Sequence, residues 1–135
     1  MDFTISEELQ SVQQLAQQIL GDFTEVDKLK AIEAQDTRFD PALWQALAEA
    51  GLLGVDIDEA NGGMGLGFFA LGMLCEEVGR TVAPVPVVPV LAGAAGTLRR
   101  FGNDTQREQW LPGIAAGSAL VTCALEEYHN DDPTR

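Results

Sequence analysis

The sequence predicts a mainly helical fold: a bundle of about six helices, then a single strand at the C-terminal end whose sheet is otherwise absent. Three observations predict it. Apolar residues recur at steps of three and four in successive segments, each bracketed by capping residues, glycines or prolines. Of the 135 residues 46% are apolar, enough for a core, and a chain of this length buries roughly two-thirds of its unfolded surface. A short apolar run with β-branched members, 119–125, follows the point where the helical pattern ends.

The elements follow in order. Ile5, Leu9, Val12, Leu15, Ala16, Ile19 and Leu20 share one helical face, with Thr4 and Glu7 spaced as a capping box and Gly21 as the stop. Glu25 to Ala34 is a second, more polar helix with Val26, Leu29 and Ile32 as its stripe. Asp40 as N-cap, Pro41 at the first helical position and Gly51 after the last turn delimit a third, with Leu43, Trp44, Leu47 and Ala48 facing inward. Leu52, Leu53 and Val55 continue as a short extended piece. A glycine-rich loop, Asn61 to Gly67, precedes a helix from Phe68 to Arg80 that is apolar almost all round, as central bundle helices are. A proline-broken connector, Thr81 to Pro86, leads to a helix from about Pro89 to Arg100, closed by Gly102. Asp104 caps a last short helix that Pro112 and Gly113 end. Residues 1–117 thus form a helical domain, and 118–135 begin another. A lone strand cannot satisfy its own backbone, so the one at 118–125 requires a sheet supplied from elsewhere.

Composition excludes several classes of function. Eight basic against 21 acidic residues give a net charge of −13, which repels phosphate backbones and anionic membrane surfaces. Cys75 and Cys123 form no Cys-x-x-Cys pair, and one histidine cannot complete a common zinc set with them. Both read as buried reduced thiols of a cytoplasmic protein. The acidic N-terminus starts no signal peptide, and the uncharged run Thr81–Leu98 is broken by prolines, which makes it core rather than membrane span.

Residue chemistry alone names no catalytic group. Gly65-Leu66-Gly67-Phe68-Phe69-Ala70 matches Gly-x-Gly-x-x-Ala at a helix start. No strand precedes it, and no acid follows at the spacing a ribose hydroxyl needs, so the match reads as a tight helix–helix turn. Glu76 and Glu77 point about a hundred degrees apart on a helix and share no proton site; one faces solvent and the other pairs with Arg80. Glu126 and Glu127 would leave a strand on opposite faces. His129 with Asp131 and Asp132 reads as a solvated turn rather than a metal site. Trp44 and Trp110, each in an apolar stripe, read as core.

The order of the motifs is more specific than any one of them. Asp2-Phe3 opens the first helix, followed by Phe39-Asp40-Pro41-Ala42-Leu43-Trp44 and Leu47-Ala48-Glu49-Ala50-Gly51-Leu52-Leu53-Gly54. Then come Asn61-Gly62-Gly63-Met64-Gly65-Leu66-Gly67, Glu76-Glu77-Val78-Gly79-Arg80, Phe101-Gly102-Asn103-Asp104-Thr105-Gln106-Arg107-Glu108-Gln109-Trp110-Leu111-Pro112 and Ala116-Gly117-Ser118. This string resembles the N-terminal part of the flavin-dependent acyl-CoA dehydrogenases over nearly the whole chain.

The resemblance implies a helical N-terminal domain followed by a middle β-barrel, of which Leu120 to Leu125 is the first strand, and a C-terminal four-helix bundle. It implies α,β-desaturation of an acyl-CoA thioester with FAD as hydride acceptor, an electron-transferring flavoprotein or similar acceptor as partner, and a homo- or hetero-oligomer. The family's glutamate base falls outside these residues, so the resemblance assigns no catalytic residue here. It places Val87, Val88, Val90, Leu91 and Ala94 on the acyl-pocket wall and Cys123, Leu125 and Glu126 at the flavin. Glu126 stands where the family usually has threonine, and the following Gly-Ser-Asp stretch is missing. A carboxylate at that edge disfavours the negative charge of reduced flavin. Either the turn is rebuilt or this subunit does not hold FAD in the usual way, as in a non-catalytic partner subunit. A stand-alone helical interaction module is the remaining alternative.

Overall fold

The computed structural model describes residues 4–124. Six α-helices follow one another: α1 (Glu7–Phe23), α2 (Val26–Glu33), α3 (Pro41–Glu49), α4 (Gly67–Thr81), α5 (Gly96–Phe101) and α6 (Asp104–Ala115). Two 3₁₀ turns, Leu52–Gly54 and Glu59–Asn61, lie between α3 and α4, and a π-helical segment, Val88–Ala95, runs directly into α5.

The core is one continuous cluster. Val12, Ala16 and Leu20 of α1 meet Leu43 and Leu47 of α3 and Ala70, Leu71, Leu74 and Val78 of α4. Val87, Val90, Leu91 and Ala95 close it from the π segment, and Leu111 and Ile114 from α6. The α4 helix sits centrally, as its nearly all-round apolar sequence predicts; it packs on α1 and on the π segment. Three acidic residues, Asp40, Asp56 and Glu77, are buried with the core, and Glu77, on α4, is only 2% exposed. Its Oε1 accepts from Gln13 Nε2 at 3.0 Å and Gln17 Nε2 at 2.8 Å, and its Oε2 from Arg80 Nε at 2.8 Å. Glu76 is exposed, so the two neighbours divide as expected.

Where the sequence offered equivalent caps, the structure chooses one. Ser6, not Thr4, caps α1 by accepting from Leu9 N. Asn103, not Asp104, caps α6, in a full capping box with Gln106. Asp40 caps α3 as expected, accepting from Ala42 N and Leu43 N at 3.0 Å each. Packing overrides two expected stops. The α1 helix passes Gly21 to end at Phe23, because burying Leu20 outweighs the roughly 1 kcal/mol of a helical glycine. The α6 helix passes Pro112 to Ala115, because Leu111, Ile114 and Ala115 are all buried around it. The expected extended piece at Leu52–Val55 is instead a 3₁₀ turn entered through Gly51 at φ +74°.

The glycine-rich loop is a backbone crossing. Met64 N donates to Gly54 O, Leu66 N to Val55 O and Gly65 N to Ile57 O, each at 2.8 Å. The reading of a tight turn rather than a nucleotide loop fits this local pairing. After α6 the chain turns at Gly117, φ +72°. Residues 118–124 then take no regular secondary structure, and no strand occurs among the described residues. The first-strand expectation covers Leu120–Ala124 here; Leu125, Glu126, Glu127, His129, Asp131 and Asp132 lie outside the described residues. No described helix is long and apolar enough to cross a membrane, and no metal-ligating cluster occurs among the described residues.

Candidate functional site

The π segment determines which residues the bundle leaves facing outward. Pro89 has no N–H to give to a helical ladder, and hydrogen bonds reach one residue further in a π-helix than in an α-helix. Along this stretch Val88, Pro89, Ala92 and Thr97 are exposed, with Gly93 and Gly96 half-buried between them. Side chains on this outer strip are short, and an added Cβ at Gly93 or Gly96 would meet only ordinary contacts.

Of the five residues expected on the acyl wall, Val88 faces outward, 54% exposed. Val87, Val90, Leu91 and Ala94 are turned into the bundle and buried, although Ala94 also borders an outer cleft. The same helix does present an apolar face, but through residues that a 3.6-residue period does not single out. The Ala-Gly-Ala-Ala-Gly composition was the only sequence signal for them.

Two clefts flank the strip and share Thr97. One, of about 210 Å³, is almost wholly apolar and is lined by Ala94, Thr97, Leu98, Trp110, Val121, Thr122 and Cys123. Trp110 is 41% exposed there; it is a cleft wall and not the core residue its stripe suggested. The other, of about 500 Å³, is lined by Asp56, Phe68, Ala92, Gly96, Thr97, Arg99, Arg100 and Phe101. Arg99 pairs with Asp56 and, at 3.4 Å, with Asp58, tying α5 to the turns before α4. Phe68 and Phe101 are each 75% exposed. Large exposed rings beside a cleft mark a surface that other groups cover.

Cys123 is half-buried at the edge of the strip, and its thiol sulfur lies 3.8 Å from Thr97 Oγ1. Burial pushes the other thiol, Cys75, up from its ordinary value, which fits an inert core cysteine. Ser118 N and Ala119 N both donate to Gly113 O. Beyond them, no hydrogen bond between described residues takes up the backbone groups of Leu120–Ala124. Backbone N–H and C=O groups without a partner among the described residues can be taken up by a neighbouring strand or by the polar edge of a heteroaromatic ring. This donor and acceptor set fits a flavin as far as the described residues reach.

The described residues therefore form a helical domain with an apolar outer face, against which lies a segment, 120–124, whose backbone groups have no partner among the described residues. The family model "Acyl-CoA dehydrogenase, N-terminal domain" matches residues 6–118, and the chain belongs to the acyl-CoA dehydrogenase family. Over all of its length it is 29% identical to the acyl-CoA dehydrogenase FadE27 of Mycobacterium tuberculosis, covering 36% of that protein. Among solved structures it is 49% identical to a Tcur3481–Tcur3483 steroid ACAD variant, with a TM-score of 0.86 over 93% of this chain and 34% of the other. It is 29% identical to a chain of the ChsE4–ChsE5 complex from Mycobacterium tuberculosis, with a TM-score of 0.88 over 98% of this chain and 36% of the other. The chain thus spans about a third of the length of the relatives it matches.

Proposed function

We propose that this chain is the N-terminal part of an FAD-dependent acyl-CoA dehydrogenase that desaturates an acyl-CoA thioester between its α and β carbons. The observation that carries the reading is the outer strip from Val88 to Thr97, short-chained and without charge, lying against the segment through Val121 to Cys123. The strip forms one wall of the acyl pocket. Val88, Ala92, Gly93 and Gly96 offer a surface without charge or bulk, which suits a broad alicyclic tail as well as a fatty one. The steroid ACAD at 49% identity supports that choice.

Backbone groups of residues 120–124, Cys123 and, beyond them, Leu125 and Glu126 form one lip of the flavin site. Bound FAD would supply the acceptor for the β-hydride. The described residues hold the tail and exclude water; none of them is a base placed to remove the α-proton, which falls to a glutamate of the family's remaining length. An electron-transferring flavoprotein or a similar carrier takes the electrons onward. The 135-residue chain alone is inactive.

A second reading, that the chain belongs to a non-catalytic partner subunit of a heteromeric dehydrogenase, is favoured by Glu126 at the threonine position. Two-component assemblies among its relatives favour it too. One experiment separates the readings. A protein carrying this chain and the rest of the family's length is purified alone and together with a co-expressed homologous subunit. A fatty or steroid acyl-CoA is then added without oxygen. The first reading expects a yellow protein whose visible flavin band bleaches in the single-subunit preparation. Colour and bleaching only in the co-purified complex support the second. A preparation that FAD colours in neither form contradicts both.

A further inference from the structure

We propose that Trp44 is a positioning residue for the flavin-facing segment, acting through the carbonyl of Gly117. The inference rests on the reading of residues 120–124 as the flavin lip.

Trp44 lies in the middle of α3, 4% exposed. Its indole Nε1 donates to Gly117 O at 2.9 Å across 73 residues of sequence. Gly117 is pressed onto α3: a Cβ there would lie 2.7 Å from the Ala48 Cβ and 3.2 Å from Leu53 Cδ1. Its φ of +72° also favours glycine. Two backbone bonds to Gly113 O hold the next two residues. Past that point no backbone hydrogen bond to another described residue holds the segment, and Cys123 Sγ lies 3.8 Å from Thr97 Oγ1.

Trp44 and Gly113 thus hold the root of the segment by hydrogen bonds, whereas its far end, Val121 to Cys123, only rests on the strip. Even fully extended, the six residues from Ser118 to Cys123 would span at most about 20 Å. A change of about 10° at the root would move the tip by about 3 Å, while productive site geometry tolerates about 0.5 Å. Phenylalanine would fill much of the same core volume, but only the indole N–H can grip the carbonyl. Trp44 touches neither substrate nor flavin; it aims the residues that do.

The test uses the full-length protein with two changes at position 44. Trp44→Phe removes the N–H and some volume. Incorporation of 3-benzothienylalanine removes the N–H and keeps the bicyclic shape. Leu20→Ala, a core residue of α1 that makes no hydrogen bond to Gly117, is the control for general destabilisation. The readouts are hydrogen exchange across 118–124 and the visible circular dichroism of bound flavin. Both changes at 44 should speed exchange in 118–124 about tenfold, the loss of one ordinary hydrogen bond, and alter the flavin signal, whereas Leu20→Ala does neither. The proposal is overturned if the benzothienyl protein exchanges like the parent, or if Leu20→Ala speeds that segment equally. A full-length protein that holds no flavin would remove the flavin reading, while exchange at 118–124 would still decide whether Trp44 fixes the root.

Discussion

Gly63→Ala is expected to abolish the native fold or to lower its thermal midpoint by more than about 10 °C. An added Cβ would stand 2.0 Å from Ile57 O and 2.6 Å from Gly54 O. Both obstacles are backbone carbonyls, so no side chain can swing aside. Both carbonyls are also in use: Gly54 O accepts from Ile57 N and Met64 N, and Ile57 O from Gly65 N. Relieving the clash would pull this crossing apart and withdraw the buried Leu52, Leu53, Val55 and Ile57 from the core. The cost is on the order of 3–5 kcal/mol, a large share of a domain's stability. Thermal unfolding followed by far-ultraviolet circular dichroism measures it, with Gly62→Ala as a comparison. Position 62 has open space around it and only its φ of +80° to oppose a side chain, so its loss should be much smaller.

Glu77→Ala is the second large effect, expected at about 3 kcal/mol. Removal of the carboxylate leaves two buried-side amides, from Gln13 and Gln17, without their acceptor and cuts the only side-chain polar tie from α1 to α4 among the described residues. Arg80 adds less, since more than half of its side chain is in water. Glu77→Gln keeps shape and one acceptor oxygen and should lose less. The same site sets a pH dependence. Burial by itself would raise the Glu77 carboxyl, but the amides of Gln17 and Gln13 and the Arg80 guanidinium outweigh it and hold the group below the usual carboxylate range. A depressed folded value means that the stabilisation is complete above the unfolded value of about 4.3 and is lost as pH falls through the lower folded one. Denaturant midpoints taken from about pH 6 to about pH 2 should therefore converge for the parent and Glu77→Gln at the acid end.

Much of the bundle could be read from spacing because its elements obey one period. Asp40-Pro41 through Gly51 and the apolar run from Phe68 carry their own boundaries, and α3 and α4 form there. Caps slipped where two residues of equal capping power stood close together, Thr4 beside Ser6 and Asn103 beside Asp104; choosing between them depends on where the first turn packs. Gly21 and Pro112 are helix breakers by local propensity alone, and the buried leucines next to them decide otherwise. The site was harder. The resemblance pointed to the segment from Val87 to Ala94, but Val87, Val90 and Leu91 are among the residues that the bundle itself buries, since the most apolar residues of a helix are those its own core claims. The outward strip is marked by what it lacks, side-chain bulk at Ala92, Gly93 and Gly96, and a π-helical winding hides it from a search at α-helical steps. Trp110 misled for the same reason, because a stripe shows which face is apolar and not whether this domain or another covers it.

The central claim is that the outer strip of the π segment walls the acyl pocket, and Ala92→Trp in the full-length enzyme tests it most directly. Ala92 is exposed, so the bundle itself can carry the indole, and flavin content and melting temperature should stay near the parent's. With the pocket narrowed, kcat/KM for the preferred bulky acyl-CoA should fall on the order of a hundredfold, and less for a short-chain thioester. Equal kcat/KM for both substrates in the variant and the parent, with the flavin still bound, would contradict the account.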